Sequence, residues 1–230
     1  MAIGLDPELE LEMYLQERVD PLVDRMTGGI AARTPRTGSL AVGRRGEQMM
    51  RCLLHSQGWM VMRAPYQLTQ SPGPDAVTWN RNGGRLNLAI VDNKAGRRPG
   101  RVGRASGLTA PSLTLNLPTF IYALRRATGP RHAGVSQLLE RVQIAARAAT
   151  ARAERQGLRA EQGRIELPPG VELWVTNANG AATGITSALG QGTIRGPGGA
   201  TFPGLGIRFV NLRSLPVPPA CEQYREPAGP

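Results

Sequence analysis

The chain has 230 residues, a formal net charge of +11 and 40% hydrophobic residues, so it is long enough to bury a substantial core. Its first residues lack the basic-then-apolar pattern of a secretory signal, and no apolar run is long enough to span a membrane. Cys52 and Cys221 are far apart in the sequence, which predicts free thiols and a reducing compartment.

The charge is unevenly distributed along the chain. Residues 1–24 contain seven acids and one base, Arg18, so the positive surplus lies in the remainder. Such a surplus favours a polyanionic partner, because each neutralised phosphate releases counterions. Residues 7–26 predict an acidic amphipathic helix and residues 27–39 a linker. We favour packing of this extension on the domain; alternatives are that it covers the basic site or serves delivery.

The first helix of the main domain is predicted over residues 40–57, with Ser39 as its N-cap and Gly58 as its stop. A strand over residues 59–63 follows. The helix carries a carboxylate, Glu47, on the side that it turns to the core.

Glu47 shares one helix face with Met50 and Leu54, three and seven positions later. An unpaired buried charge is costly, so a carboxylate on this face predicts a functional role. The alternative is a rim residue paired with a neighbouring arginine, Arg44 or Arg51.

Strands over residues 75–80 and 85–94 predict a hairpin, since Gly83-Gly84 is a strong signal for a two-residue turn. Placing these glycines at the turn makes Asn82 the partner of Arg85. The same register sets Trp79 opposite Leu88, Val77 opposite Ile90, and Asp75 opposite Asp92.

Lys94 lies two residues beyond Asp92 and therefore points to the same face. It is the one lysine among the 28 Lys and Arg residues of the chain. Unlike arginine, lysine gives up its proton readily when it is buried or crowded. The turn alone thus predicts two acids and a lone amine in one place.

Beyond the hairpin, the sequence predicts a mobile basic loop, a short helix over residues 118–126 and a longer helix over residues 134–156. The loop contains Arg97, Arg98, Arg101 and Arg104. The longer helix has a broad apolar face, formed by Val135, Leu138, Leu139, Val142, Ala146, Ala149 and Ala153. One flank of this face predicts either a ridge that contacts phosphates or a solvated helix edge. The residues on this flank are Arg141, Arg152, Arg155 and Arg159.

The last third of the chain predicts a buried strand, a short helix and a final strand. These cover residues 171–176, 181–189 and 206–212. From Leu215 the Pro-rich tail is expected to be irregular.

Two opposed carboxylates require a compensating cation. Mg²⁺ provides one and binds to carboxylates, waters and phosphate oxygens. We predict that Asp75 and Asp92 hold this ion, that Glu47 completes its shell or places a second ion, and that the backbone carbonyl of Asn93 adds a ligand. Lys94 is expected to orient or deprotonate the attacking water, or to neutralise the phosphate. The histidines lack partners at metal-ligand spacing, and no P-loop is present, which argues against zinc chemistry and P-loop NTPases.

Glu47 on a helix, Pro74-Asp75 and Asp92-Asn93-Lys94 together resemble the motif of the PD-(D/E)xK nuclease superfamily. The motif covers Glu47 to Lys94, and the order helix, three strands, helix, strand extends the resemblance over residues 39–212. It implies the restriction-endonuclease-like α/β core (αβββαβ), a central mixed sheet flanked by helices, here with an N-terminal helical extension. It also implies Mg²⁺-dependent phosphodiester hydrolysis with a catalytic lysine, and Mn²⁺ is expected to substitute.

Residues 175–184 are more loosely similar to the distal part of nuclease domains in bacterial polymorphic toxins and contractile-injection effectors. Together with the motif and the charge, this likeness favours a DNA endonuclease that acts as a bacterial toxin or effector, with a cognate immunity or delivery protein as a possible partner. Because a secretory signal is lacking, we expect it in the cytoplasm of the producing or target cell, reached by a signal-independent secretion or injection system. Alternatives are an RNase or tRNase on the same fold, a non-catalytic nucleic-acid-binding module, and a purely structural cluster. The predicted segments are the extension (1–39), the nuclease domain (40–214) and the tail (215–230).

Overall fold

The described part of the chain contains three α-helices, eight strands and several short 3₁₀ segments. A computed structural model describes residues 37–64, 73–94, 96–102, 105–128, 132–178, 180–186, 193–195 and 207–225. The helices are α1 (Thr37–Ser56), α2 (Ala110–Thr128) and α3 (Ala133–Arg155). The strands are β1 (Met60–Arg63), β2 (Ala76–Asn82), β3 (Arg85–Asn93), β4 (Gly96–Val102), β5 (Val171–Asn177), β6 (Gly180–Thr186), β7 (Thr193–Arg195) and β8 (Ile207–Asn211). The acidic helix predicted over residues 7–26 lies outside the described residues.

The main sheet has five strands in the order β1-β2-β3-β5-β8. Strands β1, β2 and β3 pair antiparallel, whereas β3, β5 and β8 pair parallel. A parallel pair needs a crossover connection, and α2 and α3 lie on the connection between β3 and β5. The predicted α/β class, with a mixed sheet flanked by helices, is confirmed. A smaller sheet has the order β4-β6-β7.

The β2–β3 hairpin has the predicted register. Gly83 and Gly84 have φ angles of +56° and +78°, which glycine adopts without the steric cost of a Cβ atom. Asn82 pairs with Arg85, and the ladder continues to Ala76, which pairs with Val91. One residue before β2, the Asp75 N–H still donates to the Val91 carbonyl at 2.8 Å. The turn therefore fixes where Asp75 meets β3.

The central strands send alternate side chains into two buried layers. Leu88 and Ile90 lie in the layer that contains the apolar faces of α2 and α3, while Ala89 and Val91 lie in the layer that contains the inner face of α1. The predicted apolar face of α3 is confirmed: Leu138 is partly buried, and the other six predicted residues are buried. Asp92 continues the Leu88 and Ile90 series, so it points to the side covered by α2 and α3.

Helix α2 is longer than predicted and contains Pro118 in its interior. We expected Pro118 to start the helix, because proline is favoured in a first turn. The helix instead begins at Ala110, and proline leaves the Thr114 carbonyl without its usual helical donor. The Gln143 side chain of α3 donates to that carbonyl at 3.3 Å. A contact from another helix thus compensates for the missing N–H.

Two other local expectations were wrong. The basic segment predicted as a mobile loop contains strand β4, and the predicted helix over residues 181–189 gives way to strand β6. Strand β4 pairs with β6 through an irregular parallel register from Gly96–Gly180 to Val102–Ile185. Pairing between distant segments outweighed weak local propensities here, which is common for strands.

Helix α1 starts at Thr37, so Ser39 lies inside the helix rather than at its N-cap. Residues 37–39 of the predicted linker belong to the helix, and residues 27–36 lie outside the described residues. Its predicted end is confirmed, because Gly58 has a φ of +78° and donates to the His55 carbonyl.

The expectation of free thiols was also wrong, because Cys52 of α1 forms a disulfide with Cys221. The tail that we expected to be irregular contains a 3₁₀ segment, Pro219–Tyr224, which places buried Cys221 in the layer beside α1. The Cα atoms of the two cysteines are 5.7 Å apart across a sequence separation of 169. Because the two cysteines are so far apart in the sequence, their contact could not be predicted from it.

Candidate active site

The structure brings Asp75, Asp92 and Lys94 together where the β2–β3 ladder ends. The Lys94 Nζ lies 2.5 Å from the Asp92 Oδ1. The Asn93 backbone N–H donates to the Asp75 Oδ2 at 2.6 Å. Asp92 is 2% exposed, whereas the Lys94 side chain is 26% exposed. The lysine side chain therefore contacts a buried carboxylate and is still partly exposed.

The two carboxyl groups form an electrostatically strained pair. Burial raises the pKa of Asp75 well above its usual range, and the negative charges of Asp92 and Glu47 raise it further. Lys94 and the Asn93 N–H lower the pKa of Asp75 in part. Burial also raises the pKa of Asp92, against the opposing effects of Lys94, the Gly107 N–H and a hydrogen bond with Asp75. Without a further cation, each of these acids therefore keeps its proton to a higher pH than an isolated carboxyl group.

Strand β5 fixes the segment that carries the amine. The Lys94 N–H donates to the Thr176 carbonyl at 2.9 Å, and the Thr176 Oγ1 donates to the Asn93 Oδ1 at 2.9 Å. Thr176 is fully buried. Sequence reasoning missed this residue, because only the parallel pairing of β3 with β5 places it beside Asn93.

Glu47 lies near the pair but contacts an arginine. Its side chain is 15% exposed, and its Oε2 is 3.1 Å from the Arg63 Nη2. The expected inward position beside Met50 and Leu54 is present, since both of these residues are buried. The structure gives Glu47 a salt-bridge partner, Arg63, that is not one of the two arginines considered from the sequence.

Arg63 was missed by sequence reasoning. It is the last residue of β1 and pairs with Ala76, the residue after Asp75. A basic residue at the end of an otherwise apolar strand was the available signal. Its side chain is 16% exposed, so the ion pair with Glu47 is largely shielded from water. The role of Glu47 in metal binding stays a prediction.

The chemistry of these side chains fits a hard divalent cation. Within the described ranges, no three His, Cys, Asp or Glu side chains are grouped as a ready-made metal cage. Mg²⁺ does not require one, because it is commonly held by one or two carboxylates together with waters and substrate phosphates. Asp75 and Asp92 supply two carboxylates with raised pKa values, which a cation would lower. The Asn93 carbonyl as a ligand stays a prediction.

The structure describes only some of the residues that were predicted to contact nucleic acid. Strand β4, which contains Arg97, Arg98 and Arg101, begins two residues after Lys94. Arg104 lies outside the described residues. The positions of these arginine side chains are likewise not described.

On α3, Arg141 is exposed, and the Arg152 Nη1 lies 2.7 Å from the Glu166 Oε1. Arg155 and Arg159 are also exposed. Phosphate contact by this ridge stays a prediction, and the Glu166 pairing makes Arg141 its better candidate.

Comparison of the chain with protein-family models, curated proteins and solved structures finds no match. In the part of the chain that the structure describes, no helix is both long and apolar enough to cross a membrane. The functional inference therefore rests on the side chains at the end of the hairpin.

Proposed function

We propose that this chain is a Mg²⁺-dependent endonuclease that hydrolyses phosphodiester bonds of DNA and acts as a bacterial toxin or effector. The observation that carries the proposal is the contact of a buried acid pair, Asp75 and Asp92, with the one lysine of the chain. A structural ion pair would need one acid for one amine. Two acids for one amine leave a site that gains from a divalent cation.

The order of the elements supports the same proposal. Helix α1 is followed by the antiparallel strands β1, β2 and β3, then by a helical crossover to the parallel strand β5. This order agrees with a restriction-endonuclease-like core. The acids at the end of the hairpin and the lysine two residues after the second acid also match the PD-(D/E)xK pattern.

The proposal gives each residue of the site a role. When bound, Mg²⁺ polarises the scissile phosphate and lowers the pKa of a coordinated water. Asp75 and Asp92 would hold the ion, and Glu47 would join them or place a second one. Lys94, anchored at Asp92 and partly exposed, can orient or deprotonate the attacking water. The Asn93 N–H and the Thr176 hydroxyl hold this segment in place.

The positive charge supports a nucleic-acid substrate. The chain has a net charge of +11, and its basic β4 segment follows Lys94 directly. Such a surplus attracts the phosphate backbone independently of sequence. We favour DNA, and RNA is the second arm of the test.

The experiment is a cleavage assay with the full chain on supercoiled plasmid and on total tRNA, in Mg²⁺, Mn²⁺, Ca²⁺ or EDTA. We expect nicking and linearisation of plasmid in Mg²⁺ and Mn²⁺, and none in EDTA. Asp75→Asn and Asp92→Asn, purified identically, should be inactive and so exclude a contaminating nuclease. Glu161→Gln, at an exposed acid on another part of the surface, should cleave like wild type.

Cleavage of tRNA alone would redirect the proposal to an RNase. Binding to DNA that is indifferent to Mg²⁺, with no cleavage of either substrate, would replace the enzyme with a binding module. For the toxin role, cytoplasmic expression in bacteria should reduce colony formation with wild type but not with Asp75→Asn. Equal colony counts for the two would refute that role.

A further inference from the structure

A short 3₁₀ turn, Ser106–Leu108, passes against the ends of the two strands that carry the acids. The backbone N–H of buried Gly107 donates to the Asp92 Oδ2 at 3.2 Å. The Lys94 amine contacts the other oxygen of the same carboxylate. The Asp92 carboxylate is therefore oriented from both sides, and one side is a main-chain group.

The same glycine also touches the segment that leads to Asp75. A Cβ atom at Gly107 would lie 2.4 Å from the Gly73 carbonyl oxygen, 2.8 Å from its carbon and 3.1 Å from the Pro74 nitrogen. These are backbone atoms, so they cannot rotate away as a flexible side chain could. Only glycine permits this approach.

The turn is braced by the helix that follows it. The Ser112 Oγ of α2 donates to the Gly107 carbonyl at 3.0 Å. Within the turn, the Leu108 N–H donates to the Ala105 carbonyl at 3.1 Å. Gly107 is therefore held by α2 while it contacts both acid-bearing segments.

We infer that Gly107 is a positioning residue, which sets the orientation of Asp92 and the separation of Asp92 from Asp75 for binding of the divalent cation. This inference rests on the proposed function, because it assigns the turn to the metal site. Partners that orient metal ligands typically affect metal affinity or activity by about 10–100-fold when they are changed. We expect an effect of that order at Gly107.

The test compares Gly107→Ala with Gly163→Ala. A Cβ atom at Gly163 would meet the Ala149 carbonyl oxygen at 2.6 Å, so both variants introduce a severe clash with backbone. Gly163 follows the 3₁₀ segment Ala160–Gln162 and packs on α3, so it makes no contact with either acid. Calorimetric titration with Mg²⁺ alone measures the metal affinity, and cleavage assays measure the Mg²⁺ concentration for half-maximal rate.

Gly107→Ala should weaken Mg²⁺ binding by about 10–100-fold and raise the half-maximal Mg²⁺ concentration in parallel. Gly163→Ala should lower the melting temperature and leave the Mg²⁺ affinity of the folded protein unchanged. A loss of Mg²⁺ affinity in Gly107→Ala but not in the destabilised Gly163→Ala would distinguish a positioning role of Gly107 from a general packing role.

A milder pair of variants decides the matter if Gly107→Ala does not fold. Ser112→Ala removes the hydroxyl that braces the Gly107 carbonyl, and Ser136→Ala removes a buried hydroxyl that donates to the Ala133 carbonyl, also at 3.0 Å. We expect a several-fold loss of Mg²⁺ affinity for Ser112→Ala and none for Ser136→Ala.

Wild-type Mg²⁺ affinity in both Gly107→Ala and Ser112→Ala would overturn the inference while leaving the proposed function intact. A wild-type protein that binds Mg²⁺ but does not cleave would refute the nuclease proposal alone, since the titrations would still measure the effect of Gly107 on Mg²⁺ affinity. A wild-type protein that neither binds Mg²⁺ nor cleaves either nucleic acid in its presence would overturn both.

Discussion

A lysine next to a buried carboxylate has two properties that an arginine lacks. Its compact ammonium contacts Asp92 while the side chain stays 26% exposed, so in the proposed enzyme it would be accessible to a substrate. In general an amine can also exchange a proton, whereas a guanidinium does not. Every other basic side chain except the two histidines is an arginine, so the one exception lies beside the acid pair.

Lys94→Ala and Lys94→Arg are therefore both expected to abolish cleavage. Loss of a general acid or base typically lowers the rate by about 10²–10⁴-fold. Single-turnover kinetics with excess enzyme would measure this, and circular dichroism would show whether the fold is retained. Full activity of Lys94→Arg would eliminate the proton-transfer role and leave only charge neutralisation.

The acid pair makes stability depend on pH. Burial raises the pKa of Asp75 and of Asp92 from the ordinary value of 3.8, so the folded chain binds protons at these groups more tightly than the unfolded chain. Their contribution to stability is present at low pH. It is lost as the pH rises above the ordinary value and through the folded-state pKa values.

Asp75→Asn should accordingly gain stability relative to wild type as the pH rises from about 4 to about 8 in EDTA. The asparagine removes the buried negative charge but keeps the shape of the side chain. Urea unfolding at several pH values measures the free energy of unfolding of both proteins. Parallel pH profiles for the two would contradict the raised pKa values. Saturating Mg²⁺ should stabilise wild type and not the variant.

At the scale of elements, β4 follows β3 along the chain and β6 follows β5. Strands β3 and β5 pair parallel in the main sheet, and β4 and β6 pair parallel in the smaller sheet. Lys94 lies between β3 and β4, and residues 178–179 lie between β5 and β6. The candidate site therefore lies where the main sheet gives way to a smaller sheet whose first strand is rich in arginine.

Neutralising Arg97 and Arg98 together to glutamine should weaken DNA binding for all sequences alike. It should also reduce the slope of log affinity against log salt by about 2, since each phosphate contact contributes about 0.9. Fluorescence anisotropy with the inactive Asp75→Asn background in EDTA gives both quantities.

The matched control is the pair Arg81 and Arg85. Both are exposed and lie near the Gly83-Gly84 turn, at the end of the hairpin opposite the acids. Their replacement by glutamine removes the same charge, so a similar loss of slope would assign the effect to net charge rather than to β4.

At the scale of the whole molecule, the Cys52–Cys221 disulfide joins the first described helix to the last described 3₁₀ segment. It closes most of the domain into one loop. In the chain-entropy account, a cross-link across a long loop stabilises chiefly by restricting the unfolded state, by about 2–5 kcal/mol. This link accompanies packing of the tail against α1, the helix that carries Glu47.

Cys52→Ser with Cys221→Ser should therefore lower the free energy of unfolding by about 2–5 kcal/mol. Cleavage at 25 °C should be retained, because the disulfide lies in the layer beside α1, whereas Asp92 points to the side covered by α2 and α3. Urea unfolding and the plasmid assay measure the two effects. Lost cleavage in a folded double variant would instead make the disulfide a condition of activity.

The sequence by itself determined the local part of the candidate site. A glycine pair at the hairpin tip fixed the register, and the register placed Asp75 near Asp92 with Lys94 on the same face. Strand alternation and the apolar face of α3 were equally readable, because they depend on periodicity within one element. Such features need no knowledge of distant partners.

Only the tertiary structure decided the contacts between segments far apart in sequence. The Arg63 partner of Glu47, the Thr176 support of Asn93, the Gly107 contact with Asp92 and the disulfide each join different elements. Strands β4 and β6 likewise form because they pair with each other, and their local propensity did not predict them. Local sequence cannot encode such contacts, because their geometry exists only after the sheet and helices have packed together.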